Sequence, residues 1–252
     1  MADAPLHKEC RRYTRELHDV DLHGNHKLHV VCTSEGEDMD KMLSMLRRKL
    51  VEMPVKLVGV DVEYTYYMKP QRAAVLQLCV EKECLIYHIS AAKGISKKIS
   101  NINSIQTSCG PMELDKFLMN GEYTFVGFAI EGDKSKLKLS GLEINSDNYI
   151  DIQVEWRDPY NKKKFDSLAD VAGRMIDIHY HDMKKKINRK EHHTLWGFCP
   201  LPEKLIKYAT IDALATYESW RIIYDVIMGL DREKRDKEAK KKKNNDVIQY
   251  IN

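Results

Sequence analysis

A chain of 252 residues, of which 43% are hydrophobic and 31% charged, predicts a soluble globular protein that folds without disulfide staples. No apolar stretch approaches the length that crosses a bilayer, so the composition excludes a membrane-spanning protein and a membrane partner. The net charge of +3 lies in the segment Asp231–Lys243, where eight Lys and Arg stand against four Asp and Glu, and residues 1–230 are near neutrality.

The first 26 residues are polar and show no clear period, so we predict an N-terminal extension over residues 1–26. Residues 1–10 lack the apolar core of a secretory signal and carry acids that a transit peptide avoids. The six cysteines are scattered without a Cys-x-x-Cys pair, which favours reduced thiols over a disulfide framework or a cysteine zinc site. We therefore expect a protein of the nucleus and/or cytoplasm that is not secreted, and we favour a monomer.

The first predicted elements are strands and one helix. Lys27–Cys32 predicts a strand, and Asp38–Met53 has the apolar period of a helix that Pro54 ends. The β-branched run Leu57–Glu63 predicts a second strand. Two further apolar runs are joined by a three-residue turn and predict a hairpin, Ala74–Val80 and Cys84–Ile89.

The rest of the chain alternates between strands and helices after a polar loop or insertion at residues 91–111. The predicted elements are helix Glu113–Met119, strand Tyr123–Ala129, helix Lys134–Leu139, strand Tyr149–Ile152 and helices Phe165–Ile178 and Lys204–Leu230. Antiparallel strands followed by this alternation predict one α/β domain over residues 27–230, a mixed sheet with helices on both faces. Residues 231–252 are predicted to be a Lys-rich tail, whose segment Asp231–Lys243 is a charged extension of the last helix that fades into disorder. The tail is either merely solvating or serves nuclear import or phosphate contact.

Four carboxylates and one tyrosine stand out by their spacing. Asp61 and Glu63 lie two residues apart in a strand and project side by side, so they repel unless a cation lies between them. Such a pair either binds a divalent metal or lies at an exposed strand end. Tyr208 and Asp212, four residues apart, share one face of a helix. Asp133 follows an apolar strand, where open α/β sheets carry their sites.

Taken in chain order, Asp61-x-Glu63, Asp133 and Tyr208-x-x-x-Asp212 resemble the three motifs of the DEDDy 3′→5′ exonucleases, which have a ribonuclease H-like fold. The flanking segments resemble the Werner-type exonuclease domain, closest to its short plant form without a helicase: Val58–Glu63, Ala74–Val80, Leu85–Ile89, Ile130–Leu137, Ser167–Ala169 and Trp196. The resemblance covers residues 27–228. The chain departs from the family at Tyr64, where a Trp is usual, in its short segment Thr65–Arg72 and in its longer segment 91–111.

The resemblance implies a metal-dependent 3′→5′ exonuclease that cuts DNA and/or RNA from single-stranded or recessed 3′ ends and releases nucleoside 5′-monophosphates. Two Mg²⁺ or Mn²⁺ ions suit the carboxylate oxygens and the hydrolysis of a phosphodiester. By resemblance, Asp61 bridges both ions, Glu63 and Asp212 complete one, and Asp133 holds the other partly through water. Tyr208 orients the attacking water. The alternative is a catalytically silent nucleic-acid-binding or adaptor protein that retains the fold.

Six further side chains are candidates for contacts with nucleic acid: Tyr64, Tyr66, Arg72, Lys136, His193 and Trp196. Aromatic rings offer stacking surfaces for bases, and cationic groups bind phosphate. The alternative for the tyrosines is packing on the sheet, and for the lysine it is an exposed helix charge. Gln77, inside an apolar strand, is predicted to be a hydrogen-bonded buried amide without a catalytic role.

Overall fold

The computed structural model describes residues 12–22, 26–64, 69–92, 112–183 and 194–251. Its strands are β1 (Thr14–Leu22), β2 (His26–Thr33), β3 (Leu57–Tyr64), β4 (Ala73–Val80), β5 (Glu83–Tyr87), β6 (Thr124–Gly127) and β7 (Tyr149–Asp151). Its helices are α1 (Gly36–Val51), α2 (Met112–Leu118), α3 (Glu131–Leu139), α4 (Ile152–Glu155), α5 (Leu168–Met175) and α6 (Glu203–Ile251). Within these described residues, two 3-10 helices span Ser146–Asn148 and Ile178–Asp182.

The seven strands form one mixed sheet in the order β1-β2-β5-β4-β3-β6-β7. The β1–β2, β4–β5 and β3–β4 pairs are antiparallel, whereas β2–β5, β3–β6 and β6–β7 are parallel. The predicted hairpin is present as β4–β5, with Leu78 paired to Leu85. The predicted α/β class, a mixed sheet with helices on both faces, is confirmed.

The two faces of the sheet bury two separate apolar clusters. On β3, the side chains of Val58, Val60 and Val62 pack into the cluster that contains the buried residues of α1 and α2. Leu57 belongs instead to the cluster under α6. This alternation follows from the period of two along a strand, and it directs the odd-numbered residues of β3, including Asp61 and Glu63, toward α6.

Gly59 lets α6 approach the centre of the sheet closely. A Cβ atom added at this position would lie 2.5 Å from the carbonyl oxygen of Ala213 and 2.7 Å from Cβ of Tyr217. Ala209 and Ala213, two small residues of α6, are fully buried. The contact between Gly59 and Ala213 therefore fixes the height of α6 above β3, one residue from Asp212.

Replacing Gly59 with alanine should lower the free energy of unfolding by about 1–3 kcal/mol, because the added methyl group overpacks a backbone contact that cannot yield. Denaturant unfolding measures this change. Gly229→Ala is the matched control, since a Cβ atom there meets nothing within 4 Å, and it should be neutral or slightly stabilising. Wild-type stability of the Gly59→Ala variant would show that α6 is not held at this height.

Two predictions about the ends of the domain were wrong. Residues 14–22, predicted as part of a loose extension, form the edge strand β1, because pairing with β2 supplies hydrogen bonds that the polar local sequence does not reveal. Helix α6 includes the charged extension Asp231–Lys243 that the sequence predicted, where Lys, Glu and Arg are good helix formers, but it continues to Ile251, where disorder was predicted. Residues 93–111 of the predicted insertion lie outside the described residues.

The described cysteines divide into two kinds. Cys32, Cys79 and Cys84 are buried free thiols, the reduced state that the scattered cysteines favoured. Cys199 is disulfide-bonded, which the sequence did not predict. Within the described residues, no helix has both the length and the apolar character needed to span a membrane.

Candidate active site

Three carboxylates meet where β3 lies against α6. Asp61 and Glu63 stand near the carboxyl end of β3, and Asp212 stands on α6. Their ligand oxygens all lie within 4.8 Å of one another. Glu63 is 7% exposed and Asp212 only 1%, so these charges are largely removed from water. Three carboxylates that are so close together and so buried repel one another. A divalent cation bound by the carboxylate oxygens would relieve this repulsion.

Tyr208 lies one helical turn before Asp212, on the same face of α6. Its hydroxyl is hydrogen-bonded to the Asp212 carboxylate. Burial raises the pKa of Tyr208 well above its usual range, and the negative charges of Asp212, Glu63 and Asp61 raise it further. In the metal-free chain this hydroxyl is therefore a protonated hydrogen-bond donor at the edge of the carboxylate triad formed by Asp61, Glu63 and Asp212.

Asp133 is not a member of this triad. It lies in the first turn of α3, where its Oδ1 is 3.2 Å from the Lys136 ammonium. The same ammonium donates to the carbonyl oxygen of Gly132 at 3.1 Å and lies 4.0 Å from the ring centroid of Tyr64. Burial raises the pKa of Asp133, the Lys136 charge partly offsets this, and the charge of Asp151 adds to it. The ammonium group of Lys136 therefore already pairs with this fourth carboxylate.

Asp151 and Tyr149, which the sequence did not single out, lie close enough to Asp133 to affect the site electrostatically. The Asp151 carboxylate accepts the backbone N–H groups of Ala129 at 2.9 Å and Ile130 at 3.2 Å, and so holds the turn that starts α3. Ala129 needs this support because its φ of 55° lies in the left-handed region. Burial raises the pKa of Tyr149, and the negative charges of Asp151, Asp133, Glu131 and Asp61 add to the effect.

A sequence signal for Asp151 was available. It stands at the carboxyl end of the parallel strand β7, the same position in the sheet that singled out Asp133 after β6. Tyr149 offered no comparable signal, because a tyrosine at the start of a strand is common.

The predicted nucleic-acid contacts fall into three groups. Tyr64 and Lys136 come together beside Asp133, since the Lys136 ammonium contacts Asp133 and lies over the Tyr64 ring. Arg72 directly precedes Ala73, the sheet partner of Tyr64. Tyr66 and His193 lie outside the described residues. Trp196 is 1% exposed, and its ring centroid is 6.0 Å from that of Tyr208. This burial argues against a stacking contact with a base, and the indole instead backs the Tyr208 ring.

Gln77 corrects another expectation. It is fully buried and pairs with Asp61 across the β3–β4 ladder. Neither its amide oxygen nor its amide nitrogen has a hydrogen-bond partner in the part of the chain that the structure describes. The burial was predicted correctly, but the satisfied hydrogen bonding was not, and such a group carries a desolvation cost of about 1–3 kcal/mol.

No family model matches the chain, and no curated protein matches it. Among solved structures, the chain is similar to the Nibbler EXO domain of Aedes aegypti, at 16% identity over 76% of this chain and 86% of that one, with a TM-score of 0.52. It is also similar to Trypanosoma brucei ribonuclease D in complex with GMP, at 13% identity over 75% of this chain and 56% of that one, with a TM-score of 0.54.

A second ribonuclease D structure, in complex with RNA U12, gives 12% identity over 77% of this chain and 61% of that one, with a TM-score of 0.53. The chain spans less than two thirds of the length of the ribonuclease D structures. At these identities the likeness shows the fold, and it confirms the predicted ribonuclease H-like architecture.

Proposed function

We propose that the protein is a metal-dependent 3′→5′ exonuclease, which hydrolyses phosphodiester bonds of nucleic acid from the 3′ end and releases nucleoside 5′-monophosphates. The observation that carries the proposal is the carboxylate triad, whose ligand oxygens lie within 4.8 Å of one another, with the hydroxyl of Tyr208 hydrogen-bonded to one member. The shared fold supports it, since one ribonuclease D structure of this fold is a complex with RNA U12.

The residues present fit divalent metal ions. The triad offers hard oxygen donors from two elements, the set that Mg²⁺ and Mn²⁺ prefer over softer metals. Asp61, Glu63 and Asp212 would hold one ion, and Asp133, together with Asp61, a second one. Two such ions, when bound, activate a water molecule and compensate charge on the phosphate and the leaving oxygen.

The chain's own groups would perform the remaining tasks. The Tyr208 hydroxyl, fixed by Asp212 and backed by Trp196, would orient the attacking water. Asp151 would hold the turn before α3 and thereby the position of Asp133. Tyr64 and Lys136, beside Asp133, and Arg72, next to the sheet partner of Tyr64, would receive the 3′-terminal nucleotides through stacking and phosphate contacts.

The direction of cleavage and the assignment to the Werner-type group belong to this proposal and are supported by the motif resemblance. Residues 1–230 are near neutrality and would neutralise few phosphates. Their affinity for nucleic acid in the absence of metal should therefore be modest. The Lys-rich segment at residues 231–243 would supply additional contact with phosphate.

The test is degradation of 5′-labelled single-stranded DNA, recessed duplex DNA and single-stranded RNA by the purified chain with Mg²⁺, Mn²⁺ or EDTA. We expect a ladder that shortens from the 3′ end, mononucleotide 5′-phosphates as products, and no reaction in EDTA. A circular single strand is the control, since it has no end and should stay intact. Binding without degradation under every metal condition would overturn the enzyme and support the silent nucleic-acid-binding alternative.

A further inference from the structure

A second group of metal-ligating side chains lies at the edge of the sheet, away from the carboxylate triad. It consists of Glu16 and His18 on β1 and His29 on β2. Their ligand atoms all lie within 4.8 Å of one another. Three strands, β2, β5 and β4, separate β1 from β3, so this group, the β1–β2 cluster, is independent of Asp61 and Glu63.

The imidazole of His29 is held in a fixed orientation. Its Nδ1 is 2.6 Å from the Glu83 carboxylate of β5, and its Nε2 is 2.7 Å from Oε1 of Glu16. His29 pairs with Glu83 across the parallel β2–β5 ladder, so backbone hydrogen bonds set this contact. A carboxylate on one ring nitrogen of a histidine is the usual outer partner of a metal-binding imidazole. A metal ion on Nε2 would displace the proton that this nitrogen shares with Glu16.

His18 brings a second imidazole to the same point. Its ring stacks on that of His29 with centroids 5.0 Å apart and an interplanar angle of 3°. Its Nε2 lies 3.5 Å from Oε1 of Glu16, the oxygen that also contacts His29. His18 occupies the irregularity of β1 between Leu17 and Val20, where the ladder shifts register. One carboxylate oxygen thus faces Nε2 atoms of two parallel imidazoles.

We propose that the β1–β2 cluster binds one transition-metal ion of the Zn²⁺ type through Nε2 of His18, Nε2 of His29 and the carboxylate of Glu16. Two imidazoles and one carboxylate form a ligand set that suits Zn²⁺ and not Mg²⁺, which prefers oxygen alone. Bonds of about 2.1 Å at tetrahedral angles place ligands roughly 3.4 Å apart. Oε1 of Glu16 lies 2.7 Å from Nε2 of His29 and 3.5 Å from Nε2 of His18. Because the lone pair of an imidazole nitrogen lies in the ring plane, the exposed His18 ring would rotate out of its stack on His29 to bind the same ion, and the exposed Glu16 would move with it.

The fourth position of this ion would face a cleft. Glu16 and His29 line a cavity of about 330 Å³, together with Thr14, Asp38 and Lys41. A water molecule or a small anion held near Lys41 would complete the coordination. The site is therefore open on one side, unlike a structural zinc site with four protein ligands.

The ion would also stabilise β1, an edge strand that supports the segment before α6. Tyr13, directly before β1, accepts the N–H of Leu201 at 3.1 Å through its hydroxyl, which also lies 2.8 Å from Nδ1 of the buried His88. Arg15 of β1 donates to the carbonyl oxygen of Leu201 at 3.1 Å. Binding to the folded chain alone raises the free energy of unfolding, so the midpoint of thermal unfolding should rise with Zn²⁺ concentration.

The experiment titrates Zn²⁺ into the full chain by calorimetry, in excess Mg²⁺, and records the visible spectrum of the Co²⁺-substituted protein. We expect one site per chain, a higher midpoint of thermal unfolding, and the d–d absorption of tetrahedral Co²⁺. His18→Gln should weaken binding at least tenfold without unfolding the exposed edge. Glu83→Gln, which removes the carboxylate behind His29, should weaken it by roughly 10–100-fold.

Two controls separate this site from others. His179→Gln removes an exposed histidine outside the β1–β2 cluster and should leave Zn²⁺ affinity unchanged. Asp61→Ala removes a member of the carboxylate triad and should also retain the Zn²⁺ site, whatever its effect on nuclease activity. No stoichiometric Zn²⁺ binding, or binding that His18→Gln leaves intact and Asp61→Ala abolishes, would overturn the proposal.

Discussion

Replacing Asp61 with alanine should abolish nucleotide release, with a loss of at least about 10³-fold, while the chain stays folded. A bound metal contributes several kcal/mol of charge stabilisation to a phosphoryl transition state, and each 1.36 kcal/mol corresponds to a factor of ten in rate. The change also removes one of three carboxylates whose oxygens lie within 4.8 Å of one another. Without metal, the free energy of unfolding should therefore be unchanged or higher.

Three measurements distinguish a metal-site defect from a folding defect. Release of 5′-mononucleotides gives the rate, Mn²⁺ titration by calorimetry gives the metal affinity, and denaturant unfolding in EDTA gives the stability. Asp225→Ala is the matched control, since that aspartate is an exposed residue of α6 that contacts Arg221 at 3.6 Å. It should keep wild-type activity. An Asp61→Ala variant that cuts at the wild-type rate would refute the assignment of the triad.

Most strands of the sheet could be predicted from the sequence, because the local period of their apolar residues identifies the face that is buried. The alternation of Val58, Val60 and Val62 and the helical period of α1 each identify a buried face without reference to a partner. Strand β1 lacks such a signal. Its register shifts between Leu17 and Val20, which interrupts the period of two, and its edge position leaves many side chains in water.

The sequence predicts which site residues share a face of one strand or helix, but it does not predict how that strand and that helix meet. The spacing of Asp61 and Glu63, and of Tyr208 and Asp212, places each pair on one face of its own element. Their meeting depends on how closely α6 approaches β3, which Gly59 permits and no local pattern encodes. The role of Trp196 was not predictable from the sequence, because an indole suits a base-stacking surface and a core equally well. Only the tertiary structure shows that Trp196 is buried.

Replacing Tyr208 with phenylalanine should lower kcat by about 10²-fold and leave Mn²⁺ affinity within a factor of two or three, because the hydroxyl positions a water and does not bind the metal. Burial and the nearby carboxylates raise the pKa of Tyr208, so the group acts as a donor to Asp212 and not as a base. The Phe ring keeps the contact with Trp196, whose centroid is 6.0 Å away, so the core should stay packed.

Single-turnover kinetics with saturating nucleic acid measure this effect, and Mn²⁺ calorimetry on the same variant shows whether the metal site has changed. Tyr224→Phe, a tyrosine-to-phenylalanine change about four turns further along α6, is the control and should have no effect on rate. Equal losses of rate and metal affinity in Tyr208→Phe would mean that the hydroxyl holds Asp212 in place and does not direct water. An unchanged rate would remove Tyr208 from the chemistry and leave the three carboxylates as the whole of the site.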